Sequence, residues 1–263
     1  MCAVSYLNTV PLVWGMLHGA QRGEFELEFA VPSRCADRLA AGAVDIGIVP
    51  SIELERLPLE ILRGAGIACR GAIRSILLIS KVPPERIETL AADTSSRTSI
   101  MLARIILAER YGVRPRMEPR PPELEAMLEG ADAAVIIGDP ALRVEPAALP
   151  WQALDLGEEW LALTGLPMVF AVWAARRERY RAGLEEAFLD SCRYGRAHLD
   201  EIVQQEAGPR GIPEALAREY LSERVVHELG EEEYRGLGEF LARARRLREE
   251  DRDAVGSGSS RAV

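Results

Sequence analysis

Short apolar runs alternate with helical patterns along the first half of the chain, which predicts a mostly parallel sheet covered by helices. The first run, over residues 3–7, reads as a strand. Asn8-Thr9-Val10-Pro11 then sets polar side chains at its carboxyl end and a proline where a helix can begin, leading into 12–18. Residues 25–31 alternate apolar positions with Glu and form a second predicted strand; Pro32-Ser33 opens a helix over 34–41. A third strand over 44–49 ends in Pro50-Ser51, before a short helix over 52–57. Residues 59–81 are richer in strand than in helix. Their last run, 72–80, is apolar on both faces, carries Arg74-Ser75 near its start, and reads as a long strand leaving one lobe through a hinge.

A second alternation starts at Ile87. It predicts strands over 89–92, 114–119 and 131–137, with a helix ending at Tyr111 and another over 123–128 between them. Residues 145–159 read as loop and short helix, and 168–174 as a second long apolar strand returning to the first lobe. The remainder is helical over 179–198, 213–226 and 231–252, with apolar positions recurring at about 3.6 residues and charged outer faces.

Two α/β lobes joined by two long strands describe the type 2 periplasmic-binding-protein architecture. The expected fold is therefore α/β and two-lobed, with a ligand cleft between lobes and two crossing hinge strands. Residues 1–81 with 171–263 form one lobe and 82–170 the other. Ligands of open α/β sheets gather beyond the carboxyl ends of strands. That rule brings Ser5, Asn8, Thr9, Ser51 and Arg74-Ser75 to the cleft from one side. Ser95-Ser96-Arg97-Thr98 and Gly138-Asp139 reach it from the other, with Thr164-Gly165 near a crossing. The helix start at 93–99 stands out. It carries six hydroxyl or cationic side chains where one cap would suffice, beside free N–H groups and the positive end of a helix dipole. The alternative is a surface helix with surplus caps.

Composition narrows the partners. A chain of 263 residues with 48% hydrophobic and 28% charged residues is globular, and a net charge of −9 speaks against nucleic acid or an anionic membrane. An anionic ligand would have to be held by local donors. The four cysteines lack CxxC or Cys/His spacing, so neither a zinc site nor a disulfide framework is expected, and reduced thiols in a cytoplasmic protein fit. No apolar run approaches the roughly 18 residues of a membrane span, the strand-like start at Met1 leads us to expect no signal peptide, and the tail at 256–260 reads as disordered.

Six segments, taken together and in order, carry a resemblance. Ser5 to Leu12, Asp45 to Ser51, Arg74 to Lys81, Asp93 to Ser99, Gly138-Asp139 and Thr164 to Trp173 resemble the chorismate dehydratases of the futalosine route to menaquinone. The resemblance implies that chorismate loses water from adjacent ring carbons to give 3-[(1-carboxyvinyl)oxy]benzoate. The residues show no evident triad, metal site or cofactor loop, so no cofactor is expected, and the assembly stays open between monomer and homodimer. Asn8 and Ser75 are then the expected catalytic donors, and Ser5, Thr9, Ser51, Arg74, Ser95, Ser96, Arg97, Thr98, Gly138, Asp139, Thr164 and Gly165 contact substrate. The base stays open between Asp139, Glu53 and a substrate carboxylate. Arg74 and Lys81 are candidates to steer the anion. His18, His198 and His227 lie in helical patterns away from the strand edges, and Tyr6 and Trp173 read as core. Two other readings compete: the sister 1,4-dihydroxy-6-naphthoate synthase, which shares the fold, and a non-catalytic small-anion binding protein.

Overall fold

Two mixed sheets, each covered by helices, organise the chain. The computed structural model describes residues 1–258 except 94 and 182, with side chains through 253. Position 94 of the hydroxyl-rich helix start, and the last two residues of the 256–260 tail, lie outside the described residues. The first sheet begins with β1 (Cys2–Val4), a 3-10 turn (Leu7–Thr9) and α1 (Val10–His18). It continues through β2 (Glu28–Ala30), α2 (Pro32–Ala40), β3 (Ile46–Pro50), a second 3-10 turn (Ser51–Glu55) and β4 (Leu59–Cys69). The chain then builds the second sheet with β5 (Ile76–Ser80), β6 (Thr89–Asp93), α3 (Arg97–Arg110), β7 (Arg116–Arg120), α4 (Leu124–Glu129), β8 (Ala133–Ile137), α5 (Gly138–Arg143), β9 (Gln152–Asp155) and α6 (Leu156–Thr164). It returns on β10 (Met168–Arg176), and closes with α7 (Leu184–Ala197), α8 (Leu199–Glu206), α9 (Glu214–Glu219), a π turn (Tyr220–Arg224), β11 (Val226–Glu228) and α10 (Glu231–Gly258).

The strand orders are β11-β4-β10-β3-β1-β2 and β7-β6-β8-β5-β9. In the first sheet β1 runs parallel to β2 and β3, as helical crossovers require. β10 is antiparallel to both β3 and β4. The second sheet repeats this: β6 is parallel to β7 and β8, while β5 is antiparallel to β8 and β9. The sheets are thus more mixed than the pattern predicts, because the strands flanking the two passages between sheets run against their neighbours. β10 is buried over Met168–Ala175 at the centre of its sheet, which explains its unbroken apolar run.

The predicted strand over 72–80 is shorter and lies in the second sheet. β4 ends at Cys69, residues 70–75 turn, and β5 starts at Ile76. Arg74 takes φ 69°, the left-handed region that non-glycine residues seldom occupy. Asp155 holds this turn by accepting from Ile73 N at 3.0 Å and Arg74 N at 2.5 Å, and it also caps α6 through Gly157 N at 2.9 Å. The passages between sheets are therefore the loops at 70–75 and 165–167, and not two continuous strands. Three further elements differ from expectation. The helix over 52–57 is a 3-10 turn, the loop over 145–159 contains β9, and the helix over 213–226 breaks into a π turn before β11. No helix among the described residues is long and apolar enough to cross a membrane.

Candidate active site

Where the two sheets face each other, a cavity with about 510 Å³ of space, its mouth included, is lined from both sides. β1 and the turn after it contribute Tyr6 and Asn8; the 70–75 loop contributes Ser75; α3 contributes Ser96, Thr98 and Ser99; the β8–α5 junction contributes Gly138. Ile67, Ile76, Ile137 and Phe170 form its apolar walls. Gly138 sits at φ 62°, and a Cβ there would come within 2.6 Å of the Tyr6 ring, so both backbone and space demand glycine. None of the lining residues is Asp, Glu, His, Cys, Lys or Arg.

The start of α3 carries no side-chain cap. Ser96 occupies the N-cap position, yet its side chain makes no capping hydrogen bond, and it is buried at the cavity wall. Thr98 Oγ1 accepts from Ile52 N of the facing lobe at 3.2 Å. The first-turn N–H groups of a helix have no intrahelical partner, so this end offers donors and a positive dipole to the cavity.

Contacts across the mouth hold the lobes together. Ser33 N donates to Ser95 O at 3.1 Å, and the Tyr6 and Ser95 hydroxyls lie 3.4 Å apart. Arg97 pairs with Glu53 at 2.9 Å and Asp37 at 2.8 Å. Asp139 accepts from Leu7 N at 2.9 Å and lies 3.3 Å from Arg210. Burial raises the Asp139 pKa above the usual carboxylate range, although Leu7 N–H and Arg210 oppose the shift.

Of the residues the sequence singles out, Asn8, Ser75, Ser96, Thr98 and Gly138 line the cavity. The others are not part of its lining. Ser5 is exposed, its N–H bonded to Ala30 O at 3.0 Å. Thr9 Oγ1 lies 3.4 Å from Asn8 Oδ1, and Ser51 Oγ donates to Val169 O at 2.8 Å. The Arg74 guanidinium bonds the carbonyls of Ala141 and Val144 at the end of α5, and Lys81 Nζ bonds Leu128 O at the end of α4. Both cations thus complement helix C-termini. Thr164 Oγ1 donates to Trp160 O at 2.9 Å, and Gly165 caps α6 with φ 71°. Trp173 is core, its ring 4.8 Å from Phe188.

Three residues escape a sequence reading. Tyr6 lines the cavity, and burial raises its pKa, so the phenol stays protonated at neutral pH. His227 lies in β11, not in a helix, and its Nε2 is 2.9 Å from Asn8 O. Desolvation pushes its pKa down to about 4, leaving a neutral ring. Tyr220 accepts from Asn8 Nδ2 at 3.0 Å and donates to Ser75 Oγ at 2.8 Å. Its only sequence signal is an aromatic inside the helical pattern over 213–226. No group of three or more His, Cys, Asp or Glu able to hold a metal ion occurs among the described residues.

The sequence family described as menaquinone biosynthesis matches residues 1–246. A chorismate dehydratase of Thermus thermophilus is 31% identical over 253 residues, covering 89% of this chain and 91% of the relative. A chorismate dehydratase of Campylobacter jejuni is 26% identical over 249 residues, covering 93% and 96%. Among solved structures, protein AF1704 from Archaeoglobus fulgidus gives a TM-score of 0.76 at 17% identity, covering 94% of this chain and 96% of that one. The periplasmic aliphatic sulphonate binding protein SsuA from Escherichia coli gives 0.62 at 15% identity, covering 94% and 86%. These structural likenesses speak for the fold alone, a two-lobed periplasmic-binding-protein fold. Its matched span and its relatives agree: the chain belongs to the menaquinone biosynthesis family.

Proposed function

We propose that the protein is a chorismate dehydratase, a carbon–oxygen lyase that converts chorismate to 3-[(1-carboxyvinyl)oxy]benzoate and water. The observation that carries this reading is the lining of the cavity: hydrogen-bond donors and apolar walls, with no ionisable side chain besides the Tyr6 phenol. Chorismate is a dianion that gains aromaticity when a ring proton and the hydroxyl on the adjacent carbon leave as water. Such a reaction asks the protein to orient the substrate and to stabilise the departing oxygen more than to supply strong acid or base. The α3 start, with Ser96 and Thr98, suits one carboxylate. Asn8 and Ser75 suit the ring hydroxyl or the second carboxylate, and the Ile67, Ile76 and Phe170 walls suit the ring. With no carboxylate or imidazole in the lining, a carboxylate of chorismate itself is the group left to take the ring proton.

In this reading Ser5, Thr9, Ser51, Arg74, Ser95, Arg97, Asp139, Thr164 and Gly165 support the site from outside the cavity. The two lobes open for substrate by bending at the loops 70–75 and 165–167. A cytoplasmic location goes with biosynthetic work on a soluble metabolite. Purified protein mixed with chorismate should yield a benzoate-type absorbance and a product lighter by one water. Calorimetric binding without any such product would replace the dehydratase with a binding protein.

A further inference from the structure

Asn8 sits in the turn after β1 and Ser75 at the end of the loop between β4 and β5, and one buried hydroxyl joins them. Tyr220 is 1% exposed, and its Oη accepts from Asn8 Nδ2 at 3.0 Å while donating to Ser75 Oγ at 2.8 Å. A phenol has a single hydrogen to give. Because that hydrogen goes to Ser75 Oγ, the serine's own hydrogen is left free to serve the cavity that Ser75 lines. Asn8 Nδ2 spends one hydrogen on Tyr220 and keeps its second. Thr9 Oγ1 donates to the Asn8 amide oxygen at 3.4 Å, while His227 Nε2 lies 2.9 Å from the Asn8 backbone carbonyl and holds the main chain there. Tyr220 itself stands at the first position of the π turn that follows α9, an irregularity that recurs at functional sites. Burial raises its pKa well above that of a free phenol, so it is a neutral donor at any working pH.

We infer that Tyr220 is a positioning residue: its hydroxyl orients Asn8 and Ser75 together so that both donate into the cavity. The inference rests on the dehydratase reading and names a residue that reading does not require. A phenylalanine would fill the same space but leave Asn8 Nδ2 without its partner and the Ser75 hydroxyl free to rotate.

Steady-state turnover of chorismate by Tyr220→Phe, Ser75→Ala and the double variant tests this, with thermal melts alongside. Tyr220→Phe should lose at least about tenfold in kcat with KM little changed, since misplacing a group at a reacting centre acts on the transition state. The double variant should lose clearly less than the product of the two single losses, because part of the tyrosine's effect runs through the serine and the rest through Asn8. A merely structural role would lower the melting point and leave the two losses to multiply. Full kcat in Tyr220→Phe, or multiplying losses, would overturn the inference while wild-type turnover kept the dehydratase reading intact. No turnover in the wild type would overturn both. Should Tyr220→Phe melt below the assay temperature, Asn8→Ala combined with Ser75→Ala carries the same test: coupling through Tyr220 predicts a combined loss well below the product of the two, and a full product contradicts it.

Discussion

His227 shows what burial does to a single side chain. It is 2% exposed, its Nε2 faces the Asn8 carbonyl, and desolvation holds its pKa at about 4, below the ordinary histidine value. The folded protein therefore binds this proton less readily than the unfolded chain. The stability it allows is complete above about pH 6.5 and is lost as pH falls toward about 4, by on the order of 3 kcal/mol across that window. Asp93, Asp139 and Asp155 act oppositely: burial raises their pKa values, so their contribution is present in acid and is lost as pH rises through the folded values. The difference between wild type and His227→Gln isolates the histidine. Urea unfolding at about pH 7.5 and about pH 4.5 should show the wild type losing more stability than the glutamine variant, which keeps a donor for Asn8 O. Equal losses would mean that His227 titrates as in the unfolded chain. Nothing in the sequence marks this role, because the helical pattern over 213–226 runs up to His227 and only the π turn reveals the strand. Asn8 was legible by contrast, as a polar residue at a strand end before a proline-started helix.

Among the elements, α3 separates capping from binding. Its run, its glycine stop at Gly112 and its hydroxyl-rich start are all readable in the sequence. What the sequence leaves open is whether Ser96 caps the helix, and the side chain makes no such bond. Ser96→Ala should then change unfolding stability by less than the roughly 1 kcal/mol of an ordinary N-cap. KM for chorismate should rise about tenfold or more, the size expected from a lost charge-assisted hydrogen bond of about 1.5–3 kcal/mol. A cap-sized stability loss with unchanged KM would restore the capping role. The elements missed at this scale are short and depend on distant partners. β9 is four residues paired to β5, and β11 is three paired to β4, so neither carries a periodicity of its own. The turn before β5 was hidden because Ile73 and Ile76–Ile79 keep the apolar run going, and the left-handed Arg74 leaves no trace in its residue type.

At the scale of the molecule, alternation and strand-end polarity were enough to anticipate two lobes and a cleft. They could not show which candidates reach the cavity, since that depends on how the lobes meet. Arg97 closes on Glu53 and Asp37, and Asp139 closes on Leu7 N and Arg210, so these charges hold the mouth while Asn8, Ser75 and Ser96 face inward. Tyr220 and Arg210 arrive from C-terminal turns whose folding back onto the cleft no local pattern encodes. The central claim is that a cavity of donors without a protein base dehydrates chorismate. It is tested most directly by kcat at saturating chorismate for Asn8→Ala, Ser75→Ala and Asp139→Asn, with circular dichroism to confirm the fold. Each alanine variant should lose at least about tenfold, and on the order of 10²-fold if the donor acts in a water-excluded site. Asp139→Asn, which keeps an acceptor for Leu7 N–H, should retain most of its turnover. Full activity in both alanine variants with activity abolished in Asp139→Asn would contradict the claim and make a protein carboxylate the base.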